Sequence, residues 1–331
     1  MRFAIMILVV VVLMLLNVFI GSVHIPFATV IDILLGGGEY AGPAQYIIVG
    51  SRLPQAVTAL LGGAGLAISG LMLQTTFRNP LAGPSILGIS SGASLGVAVV
   101  MLFLGGTISA GTLMLSGYAA VMFGAFIGSM LIMALLLLLS TWLKNDLMLL
   151  ITGIMIGYLA SSLIMLLNFS ASAQGVQNYV MWGMGSFNGV TLEQLPLFSS
   201  VLVAGLLFSL LLVKPLNLLL LGDSYARNLG VNLVKVRNML MIATGLLTAV
   251  VTAYCGPVSF IGLAVPHITR MIWRTDNHAV IMPGTILTGG AVALLCNLIS
   301  ILPENSVLPI NAVTPLIGAP VIIYVILKRR R

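Results

Sequence analysis

The chain has 331 residues, of which 60% are hydrophobic and 6% are charged, and its mean hydropathy is +1.17. Soluble domains normally carry about a quarter charged residues, so this composition excludes a soluble fold and leaves no room for a sizeable soluble domain. We expect one transmembrane domain over residues 1–331. The net charge of +7 would suggest nucleic acid in a soluble protein, but here cytoplasmic loops rich in Lys and Arg explain it.

About ten apolar runs approach the roughly 20 residues that cross a bilayer as a helix. An all-α integral membrane fold is therefore predicted. The first run has no A-x-A-like site and is longer than a signal-peptide core, which favours a retained span over a cleavable signal. A short interfacial helix is predicted before the glycines at 36–38. The predicted spans cover residues 3–20, 55–74, 88–105, 116–140, 147–168, 194–213, 239–255, 256–274, 280–301 and 309–327.

The basic residues are distributed unevenly between the loops. If the N-terminus is cytoplasmic and there are ten spans, thirteen of the fourteen Lys and Arg residues fall inside, and only Arg52 falls outside. The positive-inside rule then predicts that both termini are cytoplasmic. The thirteen are Arg2, Arg78, Lys144, Lys214, Arg227, Lys235, Arg237, Arg270, Arg274, Lys328, Arg329, Arg330 and Arg331.

The segment 214–238 concentrates charge within an otherwise apolar chain. Its piece GDSYARNLG predicts a two-turn helix in which Asp223 is the N-cap and Gly230 closes the end in the left-handed conformation. So short a helix does not persist alone in water. Tyr225 and Leu229, one turn apart, form the surface by which a soluble partner would hold it. The alternative is an ordinary charged cytoplasmic loop.

Two segments rich in Gly and Pro, 78–92 and 256–267, each follow a span rich in small residues. In the predicted topology those two spans run in opposite directions. This pattern indicates an inverted repeat with irregular backbone near a transport path. In the second segment, Pro266 is expected to interrupt the eighth span.

Enzyme and carrier motifs are absent from the sequence. No G-x-x-x-x-G-K-[ST] motif for ATP, no metal-ligand spacing and no nucleophile–base pair is present, so we expect neither an enzyme nor a resident cofactor. All seven acidic residues fall in loops or at span ends, whereas a proton-coupled carrier usually keeps an ionisable group within a span. His267 is interpreted as a structural hydrogen-bonding residue, with a proton relay as the alternative. A subunit driven by a partner is favoured over a partner-free secondary carrier.

Over nearly its full length the chain resembles the permease subunits of type II ABC importers for iron chelates, haem and cobalamin. The order and spacing of several motifs carry this resemblance. They are Arg52-Leu53-Pro54, Gln74 followed by Arg78-Asn79-Pro80-Leu81-Ala82, LGISSGA (87–93), LGDSYARNLGV (221–231), GPVSFIGLAVPHITR (256–270) and LPINAVTPLIGAP (308–320).

The resemblance implies ten spans per subunit and a multi-pass protein of the bacterial inner membrane. Its implied partners are a second permease subunit, by expectation the same chain, two cytoplasmic ATPase subunits and a substrate-binding protein that docks outside. It also implies that spans five and ten help line the path. The expected cargo is an iron–siderophore complex, with cobalamin or haem as the alternative. The implied sites are ATPase coupling at Asp223, Ser224, Tyr225, Arg227, Leu229 and Gly230, and a cytoplasmic gate at Asn79, Asn145 and Asp146.

Arg52 has two interpretations. It either forms a salt bridge to a carboxylate of the binding protein or anchors the head of the second span at the membrane surface. Family members often carry a second basic residue after R-x-P, where this chain has Gln55. The outer docking charge is therefore expected to be weaker or placed elsewhere.

Overall fold

The computed structural model describes residues 1–36, 42–110, 113–143, 146–302 and 307–329. These residues are almost entirely helical, with one short β-hairpin. The helices in chain order are α1 (Arg2–Phe19), α2 (Phe27–Leu34), α3 (Pro43–Gln45), α4 (Leu53–Thr76), α5 (Ile89–Ala98), α6 (Gly117–Trp142), α7 (Asp146–Ser170), α8 (Ala173–Gly183), α9 (Leu195–Leu211), α10 (Val213–Leu220), α11 (Asp223–Asn228), α12 (Leu233–Cys255), α13 (Ile261–Trp273), α14 (His278–Ile301) and α15 (Ile310–Arg329).

Each predicted span corresponds to a helix, and the all-helical membrane fold is confirmed. Among the described residues, six helices are long and apolar enough to cross a membrane, the second being the continuous stretch Pro43–Thr76. A seventh is added if α9 and α10, bent by 47° at Leu212, are one span. Ten spans are reached only by also counting α13 and the shorter apolar stretches Ile89–Phe103 and Ile310–Tyr324.

Helix α4 lies at the centre of the molecule and is buried along almost its whole length. It packs against α9, α12, α13 and α14. Its residues between 62 and 70 are mostly Gly, Ala and Ser, and these let neighbouring backbones approach closely. At the crossing with α14, for example, a Cβ on Gly63 would overlap the Gly289 carbonyl and the Ala293 side chain.

The tightest contact of α4 is with the start of α13. The Gly262 carbonyl oxygen lies where a Cβ of Gly70 would be. Within an unbroken helix this carbonyl would accept from the backbone N–H four residues later, but that residue is Pro266, which has none. The Gly262 carbonyl therefore has no partner in its own helix, and it faces the Cα of the buried Gly70.

The expectation that Pro266 interrupts its span is wrong. Helix α13 continues through Pro266, and the irregular backbone lies before it, at residues 256–260. A proline in the second turn of a helix removes one hydrogen bond near the end, where few are lost. The unwound residues instead begin at Gly256 (φ 74°) and end at Phe260, a non-glycine residue with φ 66°.

The segments between several spans contain structure that the sequence pattern did not predict. Strands β1 (Thr107–Ala110) and β2 (Leu113–Ser116) pair antiparallel, with Thr107 opposite Ser116. A π-helix, Tyr46–Arg52, joins α3 to α4, and α8 follows α7 after a short break. The predicted short helix before the glycines is present as α2, where Phe27 stacks on Phe19 at 4.4 Å between ring centroids.

Replacement of Gly70 by Ala should destabilise the protein strongly, because the new methyl group would overlap the Gly262 backbone rather than a movable side chain. We expect a loss of at least about 1–3 kcal/mol, the usual range for overpacking. The matched control is Gly65→Ala on the same helix, where the Cβ would lie 3.6 Å from Leu202 and Leu247. Thermal unfolding in detergent measures both, and equal midpoints would contradict the proposed crossing.

Candidate functional site

Helix α11 is the short helix predicted in the segment 214–238, but its N-cap is not the predicted residue. Gly222 occupies the N-cap with φ 101°, which a side chain would oppose, and its carbonyl accepts from Ala226 N at 2.9 Å. Asp223 lies one position later, in the first turn, where its charge still favours the helix dipole. The prediction that Asp223 caps the helix is therefore wrong.

The predicted C-terminal end of α11 is confirmed in detail. Gly230 has φ 83°, in the left-handed region. Its N–H donates to the Arg227 carbonyl at 2.9 Å, and the Val231 N–H donates to the Ala226 carbonyl at 3.0 Å. These two bonds form a Schellman motif, which closes the helix with paired carbonyls.

One face of α11 packs on the protein and the other is open. Ala226 is fully buried, whereas Tyr225 is 65% exposed and Leu229 is 56% exposed. Ser224 and Arg227 are exposed beside them. Two large apolar side chains one turn apart on a helix of six residues form a small apolar surface with polar neighbours, which is typical of a docking contact.

The Asp223 carboxylate forms an ion pair with Arg78, in the turn after α4. Both side chains are partly exposed, so the pair alone contributes little to stability. The ion pair matters because it joins α11 to the turn at the end of α4, the central helix. Arg78 has φ 45°, a value unusual outside glycine, so the backbone at this junction is constrained.

A cavity of about 430 Å³ lies beside α11 and the start of α12. Asp223 and Arg227 line one side, and Asn232 and Arg237 line another. The Arg237 guanidinium donates to the Ser140 carbonyl at 2.5 Å, near the end of α6. The cavity is therefore bounded by α11, α12 and the end of α6.

Polar side chains hold the end of α4 to its neighbours. Arg270 on α13 donates to the Gln74 side-chain oxygen at 2.8 Å, and Gln74 donates to the Leu263 carbonyl at 3.1 Å. His278, at the start of α14, contacts Thr75 Oγ1 at 3.0 Å and Asn217 Oδ1 of α10 at 2.9 Å. The end of α4 is thus connected to α10, α13 and α14.

His267 joins the two Gly/Pro-rich segments. Its Nε2 lies 2.8 Å from the Pro80 carbonyl oxygen, which only accepts, so Nε2 carries the proton and donates. This contact supports the interpretation of His267 as a structural hydrogen-bonding residue.

The structure describes two of the three predicted gate residues, Asn79 and Asp146. Asn79 lies in the turn after α4, where its side-chain oxygen accepts from the Leu81 N–H at 2.9 Å and stabilises the turn. Asp146 begins α7. Asn145 lies outside the described residues, so the gate remains a prediction.

Arg52 lies inside the protein rather than on its rim. It is 5% exposed, and its guanidinium donates to the carbonyls of Val18 (3.1 Å), Phe19 (2.9 Å) and Val23. The first two are terminal carbonyls of α1, which a cation stabilises. Gly21 leaves the required space, since a Cβ there would lie 2.7 Å from the Arg52 Cζ. This geometry gives Arg52 a structural role as a buried cap of α1, which differs from an anchor at the membrane surface, and docking stays a prediction.

Gln55 is also buried, so its position carries no outer docking charge. Its side chain donates to Asn297 Oδ1 at 2.9 Å, and Asn297 donates to Asn17 Oδ1 at 2.7 Å. Asn17 in turn donates to the Leu294 carbonyl at 3.1 Å. This chain of amides links α1, α4 and α14 in the bundle interior, where such bonds contribute roughly 0.6 kcal/mol each.

Replacement of Arg52 by Ala should lower the thermal stability by about 1–3 kcal/mol, because three carbonyls would lose their donor. Gly21→Ala should give a similar loss without removing any charge, since its methyl group would displace the guanidinium. The control is Glu193→Gln, at an exposed position between α8 and α9. If Arg52→Ala unfolds like the parent but slows docking of the binding protein at low salt, the docking interpretation is correct instead.

The chain was compared with known proteins. The model of the FecCD transport family matches residues 8–328. Vitamin B12 import system permease proteins BtuC from Salmonella typhi and Salmonella paratyphi A (strain ATCC 9150 / SARB42) are 34% identical over 318 residues, which cover 94% of each chain. A solved structure reported as an inward-facing conformation of a metal-chelate type ABC transporter matches with a TM-score of 0.85 and 30% identity, over 99% of this chain and 98% of that one.

These matches extend over nearly the whole chain and agree with the all-helical membrane fold. They imply a multi-pass protein of the inner membrane that works with an ATPase and a substrate-binding partner. The chain therefore belongs to the FecCD transport family and is the permease subunit of a type II ABC importer, with ATP hydrolysis on a separate subunit.

Proposed function

We propose that this permease moves an iron–siderophore complex or cobalamin from an external binding protein into the cytoplasm. The two cargo classes are equally supported, since the similar proteins include vitamin B12 permeases and a metal-chelate type transporter. Haem, which is also a large and rigid ligand, is a further candidate cargo class in this proposal. The substrate-binding protein supplies most of the selectivity in this proposal.

The observation that carries the coupling part of the proposal is the open face of α11. Tyr225 and Leu229 seat in a groove of the ATPase, and Ser224 and Arg227 form the polar edge of that contact. Asp223 then transmits movement of α11 to Arg78 and the end of α4. Gly230 fixes the angle at which the chain leaves the helix towards α12.

The proposed assembly contains two copies of this permease and two ATPase subunits, with the binding protein outside. Helix α7 supports this arrangement, because it presents a long apolar face to the surroundings of the single chain. In the proposed assembly, part of that face packs against the second permease copy and part contacts lipid. Helices α7 and α15 help line the central path. Its exposed residues include Met155, Tyr158, Leu159, Met165, Leu166 and Phe169.

We further propose ten spans arranged as an inverted repeat, with α4–α7 in one half and α12–α15 in the other. The packing supports this division, since the first helix of each half packs against the other half. Helix α4 packs on α13 and α14 of the other half, while α12 packs on α5 and α6. In both halves, the second helix contacts the third and the fourth.

The proposed orientation has both termini and the loop 214–238 in the cytoplasm. Arg2 donates to the Trp273 carbonyl at 3.0 Å, which brings the N-terminus to the same end as the loop after α13. Arg78, Arg270 and the end of α4 lie at this end as well. The cytoplasmic gate near Asn79, Asn145 and Asp146 belongs to the same side.

The orientation predicts which positions react with an impermeant thiol reagent in intact cells. In a background without Cys255 and Cys296, a cysteine at Glu193 should be labelled from outside, as should cysteines near Glu39 and Glu304. A cysteine at Arg227 should react only after the membrane is opened. Labelling of Arg227→Cys in intact cells would reverse the proposed topology.

The cargo is tested by uptake into proteoliposomes that contain the permease, its ATPase and its binding protein. We expect ATP-dependent accumulation of ferrichrome or cyanocobalamin, with none in the absence of ATP. Accumulation driven by an ion gradient in the permease alone would instead indicate a secondary carrier.

Two substitutions in the same assay test the coupling surface. Leu229→Asp places a carboxylate in the proposed apolar contact and should reduce uptake and stimulated ATP hydrolysis at least about tenfold, as an unpaired buried charge does. Asn228→Asp adds the same charge off that face and should behave like the parent.

Gly230→Val should also uncouple the complex, because a β-branched residue resists left-handed geometry by about 1–2 kcal/mol. A Cβ at this position would have no atom within 4 Å, so the effect is conformational rather than steric. Gly230→Asn is the control, since Asn tolerates this conformation. Parental coupling and ATPase retention in both Leu229→Asp and Gly230→Val would reduce the segment to a charged connection.

A further inference from the structure

Two adjoining cavities lie where the irregular segments of the two halves meet. One has a volume of about 250 Å³ and the other about 290 Å³, and Ser90 lines both. The first lies between the segment before α5 and residues 258–260. The second continues past α5 towards α7 and α8. We call these two cavities the serine chamber, after the hydroxyl residues that line it, which are Ser85, Ser90, Ser91, Ser94, Ser161 and Ser259.

The hydroxyls of the chamber are unusually available. Membrane-helix serines commonly bond back to a carbonyl one turn earlier, as Ser161 does to Gly157 at 2.9 Å. Within the described part of the chain, no such bond is formed by the side chains of Ser90, Ser91 or Ser259. Each of these hydroxyls therefore keeps both a donor and an acceptor for another molecule.

The backbone around the chamber is irregular and is held in that form. Asn311 on α15 accepts from the Ser259 N–H at 2.9 Å and donates to the carbonyls of Pro257 and Gly183. Phe260, which lines the chamber, has a positive φ that the surrounding contacts must maintain. Unwound backbone at membrane depth is tolerated where it is buried in protein or lines a water-filled cavity. The chamber fits the second case, because it combines open volume with polar walls.

The lining residues of both cavities include no charged side chain. A carboxylate-rich ligand would be poorly stabilised here, since a buried charge requires a partner. A neutral ligand edge bearing amides or hydroxamates could instead both donate to and accept from the serines. Together the two cavities lie in the lower part of the roughly 300–1,000 Å³ that hold a drug-sized ligand, so the chamber would take only the edge of a larger cargo.

We propose that the serine chamber is a cargo-contact site that receives the neutral, hydrogen-bonding edge of the transported chelate or corrinoid. This inference rests on the proposed function and adds a chemical selectivity to it. Cargo with a carboxamide or hydroxamate periphery is accepted at this site, and cargo with a free carboxylate periphery is not. Ser90 is the central contact, because it faces both cavities.

Thiol labelling tests whether the chamber is open to water and to cargo. Ser90→Cys and Ser259→Cys, in the assembled complex without Cys255 and Cys296, should react with a small charged methanethiosulfonate. Ser69→Cys, at a fully buried position on α4, should not. Millimolar cyanocobalamin or ferrichrome should slow the labelling at least about fivefold, whereas ferric citrate should not. Unreactive cysteines, no protection by either neutral ligand, or equal protection by ferric citrate would overturn the proposal.

Uptake by alanine variants provides the second test. Ser90→Ala and Ser259→Ala should each lower uptake of the neutral cargo about fivefold, the usual effect of one hydrogen bond, while stimulated ATP hydrolysis stays parental. Ser162→Ala is the control, since the Ser162 hydroxyl donates to the Tyr158 backbone carbonyl at 3.0 Å and lies outside the chamber. Parental uptake in the double variant would contradict the site. Failure of the parent to transport any chelate would instead count against the proposed function, because the labelling results do not depend on transport.

Discussion

The close approach of α4 to α13 is the contact on which the rest of the structure depends. Gly70 has no side chain, and Pro266 leaves the Gly262 carbonyl without a partner in its own helix, so the two backbones meet directly. In a membrane the hydrophobic effect does not drive helices together, and close van der Waals packing must supply the association. This crossing sets the position of α4 against the second Gly/Pro-rich segment. It thereby also fixes where the irregular backbone at residues 256–260 lies.

Helix α4 connects the two ends of the protein. At one end, Arg52 and Gln55 join it to α1 and α14 through carbonyls and amides. At the other end, Gln74 binds α13, and the following turn reaches α11 through Arg78. Because α4 is buried and closely packed, it transmits a displacement as a body rather than by bending. In the proposed mechanism, a shift of α11 would therefore reach the unwound segments that surround the serine chamber.

Much of the fold and of the local geometry of α11 was predictable from residue pattern alone, because the relevant signals are local. Span boundaries follow from apolar runs, and the left-handed Gly230 follows from its position after a short helix. Arg52 was the difficult residue. A lone basic residue beside an apolar run suggested a docking charge or an anchor at the membrane surface, whereas the guanidinium binds the carbonyls of Val18 and Phe19, more than thirty residues earlier in the chain.

The sequence by itself determined the membrane class, the helical fold, the family and the existence of the short helix α11, since hydropathy, caps and ordered motifs are properties of the local chain. The tertiary structure decided what each polar group does. Asp223 pairs with Arg78 instead of capping α11, and His267 donates to Pro80. Those outcomes depend on which distant carbonyl, carboxylate or cavity lies within hydrogen-bond distance. That is decided by how the helices cross, and no single segment of the sequence carries that information.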